Sequence, residues 1–109
     1  MRLENILALT KGTLYSNPNV TLFENLVFDV SKVKRGSLFA AYNPRDIQEA
    51  LANGAYGILF YKPTQMGDSD VACIKVDSID EAVHRLLRVY LLEKELLVYH
   101  GHLFTLHIL

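Results

Sequence analysis

The feature that most constrains the fold is the run of residues 38–42 (Leu-Phe-Ala-Ala-Tyr), which has the length of a strand and carries no alternating polar residues. A strand that is apolar throughout is typical of a sheet whose two faces are both covered. Residues 57–61 repeat the pattern after a helix-like stretch. This alternation predicts an α/β fold, with a mixed β-sheet of about four to five strands and two to three helices.

The helix between these two strands has clear boundaries in the sequence. Asn43 can accept hydrogen bonds from the first free amides, and Pro44 suits the first helical position. Gly54 supplies the left-handed residue that commonly ends a helix. The spacing of Ile47 and Ala50 predicts the stripe that packs on the sheet.

A second, longer helix is predicted over residues 79–93. Ser78 and Glu81 form a capping box, in which each side chain is expected to satisfy an amide at the other's end. Leu86 falls within the apolar stripe that follows, so we expect its side chain to be buried.

The remaining elements are shorter, and the C-terminal tail is ambiguous. Residues 96–99 and 103–109 both resemble strands, which indicates either a hairpin or a strand that leads into a further domain. We predict a single domain over residues 1–109, with the role of the tail, 95–109, left open. The other predictions are a helix at 2–10, a brief strand at 13–15, and one sheet that unites strands at 26–28, 38–42, 58–61 and 71–76.

Composition excludes several functional classes. The net charge of −1 gives no reason to expect binding to nucleic acid or to an anionic membrane. No window approaches the ~18 apolar residues of a spanning helix. Glu4 lies where a secretory signal would have its apolar core, and the single Cys73 cannot form an internal disulfide. These features favour the cytoplasm.

Two segments together resemble a known family. Residues 28–42 give a strand, the sequence Asp-Val-Ser, a crossover that contains a glycine, and then Leu-Phe; residues 53–60 give Gly-Ala and a further strand. This order and spacing resemble the N-terminal domain of the Mur ligases, which build the peptide stem of peptidoglycan. In the ligases that make or add the tripeptide, the domain reads Asp-Ser-Arg, a spacer, Pro-Gly-Asp-Leu-Phe and, later, Gly-Ala. The resemblance covers about residues 3–93.

The resemblance implies a binding site for the uridine-diphosphate end of a UDP-N-acetylmuramoyl-peptide. The implied contact residues are Asp29, Ser31, Lys34, Asn43 and Arg45. Asp29 matches the family aspartate, whereas Ser31 stands where the family has arginine. Lys34 and Arg45 would supply the positive charge that a diphosphate requires.

Departures from the family pattern keep alternatives open at the same residues. Val30 replaces a family serine and cannot make its hydrogen bonds, and the loop at 42–46 is shorter than the family loop. Asp29 can instead cap the turn that follows it. The basic residues, among them Lys32 and Arg35, can equally form a solvated crossover without a ligand.

Catalysis by this chain alone is not expected. The sequence contains no Gly-x-x-x-x-Gly-Lys-Ser/Thr loop, which the family's ATPase domain uses to hold phosphates. No cofactor is implied. The first hypothesis is therefore a binding module for the UDP end of a peptidoglycan precursor. The alternative is a scaffold that has lost the nucleotide site and binds a protein partner, or itself, through a sheet edge or the C-terminal tail.

Histidines and the single cysteine raise two further possibilities. His100 and His102 would share one face of a strand, and His107 follows, which permits a metal-site or regulatory interpretation. No third ligand has clear spacing, so exposed or partner-facing histidines are the alternative. His84 is interpreted as a structural residue beside the helix core. Cys73 lies in an apolar strand, which predicts a small core residue rather than a nucleophile.

Overall fold

A computed structural model describes residues 1–62, 66, 70–100 and 105–107. Its strands form one six-stranded sheet in the order β1-β5-β4-β3-β2-β6. β1 pairs antiparallel with β5, and the other neighbouring strands pair in parallel. The predicted mixed α/β sheet is confirmed: β1 to β5 match the predicted number of strands, and β6 adds a sixth. The strands are β1 (Thr13–Leu14), β2 (Asn25–Val27), β3 (Ser37–Ala40), β4 (Gly57–Phe60), β5 (Ala72–Lys75) and β6 (Thr105–His107).

Three α-helices cover the two faces of this sheet. They are α1 (Leu3–Thr10), α2 (Ile47–Ala52) and α3 (Ile79–His100). Side chains of α1 and α3 share one buried cluster with one face of the sheet. Side chains of α2 share a second buried cluster with the opposite face, and Cys73 belongs to it as a small core residue, as predicted.

The side chains of β3 show why its sequence is apolar throughout. Leu38 and Ala40 point into the cluster with α1 and α3, whereas Phe39 and Ala41 point into the cluster with α2. All four are at most 2% exposed. Because helices cover both faces of the sheet, the side chains on both sides of this strand are shielded from water.

The local signals at the helix boundaries are confirmed with one correction. Asn43 caps a 3-10 helix, Pro44–Asp46, that leads into α2, and Gly54 has the expected positive φ of 98°. The Ser78 hydroxyl accepts a hydrogen bond from the Glu81 amide at 3.2 Å. The Glu81 carboxylate, however, pairs with Arg85 one turn further along the helix, so the described contacts complete only the Ser78 half of the predicted capping box.

The predicted strand at 96–99 is wrong, because α3 continues to His100. Residues 91–97 are leucine, glutamate and lysine only, all strong helix formers, and they carry the helix through the β-favouring Val98-Tyr99. The predicted strand at 103–109 contains β6. That strand pairs with β2 in parallel, and 96–99 is helical, so of the two alternatives left open for the tail the hairpin is wrong.

The buried stripe of α3 gives a stability prediction. Leu86 is 1% exposed, as the sequence predicted, whereas Leu91 on the same helix is 59% exposed. We expect Leu86→Ala to lower the free energy of unfolding by about 2–5 kcal/mol, because it leaves a cavity between α3 and the sheet. Leu91→Ala is the matched control and should change it by less than about 0.5 kcal/mol. Urea denaturation measures both, and equal losses would contradict the assigned face.

Candidate functional site at the carboxyl edge of the sheet

The parallel strands β2, β3, β4 and β5 all end at one side of the sheet, which we call the carboxyl edge. In open α/β sheets, ligands bind in the crevice outside the carboxyl ends of the strands. The residues that follow β2 and β3 are therefore neighbours in space. Four of the five sequence-predicted site residues lie in these segments: Asp29, Ser31, Asn43 and Arg45.

Asp29 caps a 3-10 helix, Val30–Lys32, directly after β2. Its Oδ1 accepts hydrogen bonds from the Ser31 amide at 3.0 Å and from the Ser31 hydroxyl at 2.8 Å. The hydrogen bond from the Ser31 hydroxyl is the larger cause, and the one from the Ser31 amide the next, that lowers the pKa of the Asp29 carboxyl below its ordinary value. Asp29 and Ser31 thus lie together as predicted, and the capping role that the sequence left open for Asp29 is confirmed.

Asn43 repeats this arrangement after β3. Its Oδ1 accepts a hydrogen bond from the Arg45 amide at 3.0 Å, within the 3-10 helix that precedes α2. The Arg45 side chain is exposed, and its guanidinium makes no hydrogen bond or ion pair with the described part of the chain. Arg45 therefore presents all its side-chain donors at the carboxyl edge.

Lys34 does not lie with the other predicted residues. Its amide donates to the hydroxyl of Ser37, the first residue of β3, so Lys34 lies at the opposite, amino edge of the sheet. The Arg35 Nε, also at that edge, donates to the hydroxyl of Tyr56 at 2.8 Å, just before β4. The basic patch that the sequence permitted, of Lys32, Lys34, Arg35 and Arg45, is therefore split: Lys32 and Arg45 follow β2 and β3 at the carboxyl edge, whereas Lys34 and Arg35 lie at the amino edge.

Two aromatic side chains at the carboxyl edge were not predicted as part of the site. Phe28 follows β2 and Tyr42 follows β3, and their ring centroids lie 6.4 Å apart with the planes tilted by 57°. The Tyr42 hydroxyl donates to Asp80 Oδ1, in the first turn of α3, at 3.4 Å. The sequence signal was present, since each aromatic residue ends a strand-length apolar run, but the default interpretation of such residues is core packing.

Two cavities in the described part of the chain lie elsewhere. A groove of about 500 Å³ is lined by α1 and by the segment that precedes β2, including Leu3, Leu7 and Leu22. A smaller cavity of about 150 Å³ lies between the end of α1 and the start of α3, and its lining includes Lys11 and Asp77. Neither cavity includes any of the sequence-predicted site residues.

Among the described residues, no group of three histidine, cysteine or acidic side chains could hold a metal ion. His100 is the last residue of α3, so the expectation that His100 and His102 share one strand is wrong; His102 itself lies outside the described residues. His107 ends β6. His84 was interpreted as structural, but its side chain is 69% exposed and its Nδ1 lies 3.9 Å from Asp80 Oδ2.

Comparison with known proteins does not assign a family. Neither a scan against protein-family models nor a search of curated proteins finds a match. Among the described residues, no helix combines the length and the apolar character that crossing a bilayer requires.

The paired hydrogen bonds of Asp29 give a prediction about its titration. A carboxyl whose pKa is lowered in the folded state adds stability above its unfolded pKa, and that stability is lost as the pH falls through the folded value. We expect Ser31→Ala to remove the hydrogen bond from the Ser31 hydroxyl, which is the largest cause of the lowered pKa, so that the Asp29 pKa rises towards its ordinary value. NMR titration of the carboxyl carbon measures this. Ser78→Ala, which changes a different cap, is the control, and an Asp29 titration unaffected by Ser31→Ala would contradict the assignment.

Proposed function

We propose that this chain recognises the uridine-diphosphate end of a UDP-N-acetylmuramoyl-peptide during cytoplasmic peptidoglycan synthesis. The sequence resemblance supplies the identity of the ligand. The geometry of the carboxyl edge supports a site there, because Asp29 and Ser31 follow β2 while Asn43 and Arg45 follow the neighbouring β3.

The observation that carries the proposal is the exposed guanidinium of Arg45. Arginine presents planar, paired donors that match the oxygens of a phosphate. The Asn43 cap fixes the backbone at Arg45, so the side chain starts from a defined position at the edge. The Ser31 hydroxyl, exposed on the neighbouring segment, donates its proton to Asp29 and keeps lone pairs that can accept a hydrogen bond from an O–H or N–H group of the nucleoside.

The proposed role is binding without ligation. The chain's 109 residues contain no Gly-x-x-x-x-Gly-Lys-Ser/Thr loop to position the β- and γ-phosphates of ATP. Phosphoryl transfer depends on such positioning and on charge stabilisation around the phosphates. Any ligation reaction would therefore require a further ATP-binding domain.

One observation favours the alternative of a scaffold without a nucleotide site. Asp29 and Asn43 each use a side-chain oxygen to cap the backbone that follows, and these caps explain both residues without a ligand. Within the described part of the chain, β1 and β6 each pair with a strand on one side only, so in that case their other sides would offer backbone groups to a protein partner or to a second copy of the chain.

A titration with matched variants tests the binding proposal. We expect UDP to bind the parent chain, and Arg45→Ala to weaken binding roughly ten- to a hundredfold, since a hydrogen bond to a charged group contributes about 1.5–3 kcal/mol. Lys34→Ala removes the same charge from the amino edge and should leave the affinity unchanged. Isothermal titration calorimetry with UDP and with UDP-N-acetylmuramoyl-peptide measures all three proteins.

The outcomes separate the two functions. No heat and no NMR shift at millimolar UDP would reject nucleotide recognition, and self-association in sedimentation would then support the scaffold. UDP binding that Lys34→Ala weakens as much as Arg45→Ala would place the diphosphate away from the carboxyl edge. Thermal melting of each variant verifies that the fold is kept, which is expected because both side chains are exposed.

A further inference from the structure

Tyr42 is the aromatic side chain at the carboxyl edge that is open to solvent. It is 46% exposed, although the residues immediately before it in β3 are buried. Phe28, half-buried, packs against the core cluster that α1 and α3 share and lies against the Tyr42 ring. The Tyr42 ring is therefore supported from the core side and leaves part of its surface exposed.

A second contact fixes the Tyr42 ring on this side of the sheet. Its hydroxyl donates to Asp80 at the start of α3 through a long hydrogen bond of 3.4 Å, so the ring lies against Phe28 on one side and its tip lies near α3. Burial, followed by the charge of Asp80 and the hydrogen bond to it, raises the pKa of the Tyr42 hydroxyl. The ring is thus neutral at physiological pH and does not repel an anionic ligand.

The charges around Tyr42 are unequal on its two sides. On the α3 side the exposed Asp80 lies at the Tyr42 hydroxyl, whereas Glu81, one residue further along α3, is paired with Arg85. On the α2 side, the 3-10 helix Pro44–Asp46 carries the exposed Arg45 and, as its last residue, the half-buried Asp46. A nucleoside diphosphate at this edge would be repelled at the acidic start of α3 and attracted towards Arg45. The uncharged base of the ligand can then lie over the Tyr42 ring.

We infer that the exposed surface of the Tyr42 ring is the stacking surface for the base of a nucleoside diphosphate whose phosphates point towards Arg45. The inference rests on the proposed function and adds two things to it: the orientation of the ligand, and Tyr42, which is not one of the five predicted contact residues. A base stacked on an aromatic side chain is bound through its π-face, which every base possesses. Tyr42 therefore contributes affinity for a base, and the discrimination between bases falls to other groups.

Three variants test the stacking surface, with UDP and inorganic pyrophosphate as probes in calorimetry. Tyr42→Leu keeps an apolar side chain but removes the ring, and we expect it to weaken UDP binding roughly tenfold or more. Tyr42→Phe keeps the ring and should bind UDP within about threefold of the parent. Tyr15→Leu removes a tyrosine that is 62% exposed beside the edge strand β1, and it should have no effect.

Pyrophosphate separates the base from the phosphates. It has no ring to stack, so its affinity should be the same for the parent and for Tyr42→Leu. If Tyr42→Leu lowered the affinity for UDP and for pyrophosphate equally, or left the affinity for UDP unchanged, the stacking surface would be overturned. In either case, UDP binding by the parent chain would still support the proposed function. A parent chain that binds neither probe would overturn both.

Discussion

Burial of both faces of the parallel strands is the constraint on which the rest of the structure depends. α1 and α3 cover one face and α2 covers the other, so every side chain of β3 must be apolar or otherwise satisfied inside the protein. All four residues of β3 are buried, so this strand leaves no position for an exposed polar group. The polar residues available for binding therefore lie in the connections beyond the strand ends, where the backbone turns from one face to the other.

The two connections at the centre of the carboxyl edge are built in the same way. After β2 and after β3, a residue with a short side-chain oxygen accepts a hydrogen bond from the amide two residues further on, and a single 3-10 turn follows. Such turns satisfy backbone groups that the end of a strand leaves unpaired. They also keep Ser31 and Arg45 in defined places, which lowers the ordering cost that a ligand would otherwise meet. The caps are thus compatible with either function proposed above.

Much of the fold could be predicted from local sequence, because the relevant interactions are themselves local. Asn43 caps the amide of a residue two positions away, and the apolar run at 38–42 reports burial directly. The strand predicted at 96–99 is wrong because that prediction used only the apolar run Leu96-Leu97-Val98-Tyr99, whereas α3, which begins at Ile79, extends through strong helix formers into this run. Local β propensity gives way when a neighbouring helix already supplies the backbone hydrogen bonds.

The predicted site failed at Lys34 for a topological reason. The connection between two parallel neighbours begins at the carboxyl end of β2 and must finish at the amino end of β3. Ser31, early in this connection, stays at the carboxyl edge, whereas Lys34, next to Ser37, has already crossed the sheet. Closeness in sequence to Asp29 therefore misled the assignment, and position within the crossover would have corrected it. The same correction applies to Arg35, which bonds Tyr56 at the amino edge.

The position of Tyr42 follows from the alternating direction of the side chains along and just after β3, not from a sequence motif. Ala40 points to the α3 side and Ala41 to the α2 side, so the next residue returns to the α3 side, where Asp80 meets its hydroxyl. Immediately afterwards the chain crosses to the α2 side through the Asn43 cap and exposes Arg45 there. One strand end thus presents a neutral ring on one face and a cation on the other. The nucleoside diphosphate proposed above would require such a pair of surroundings, because its base is uncharged and its phosphates are anionic.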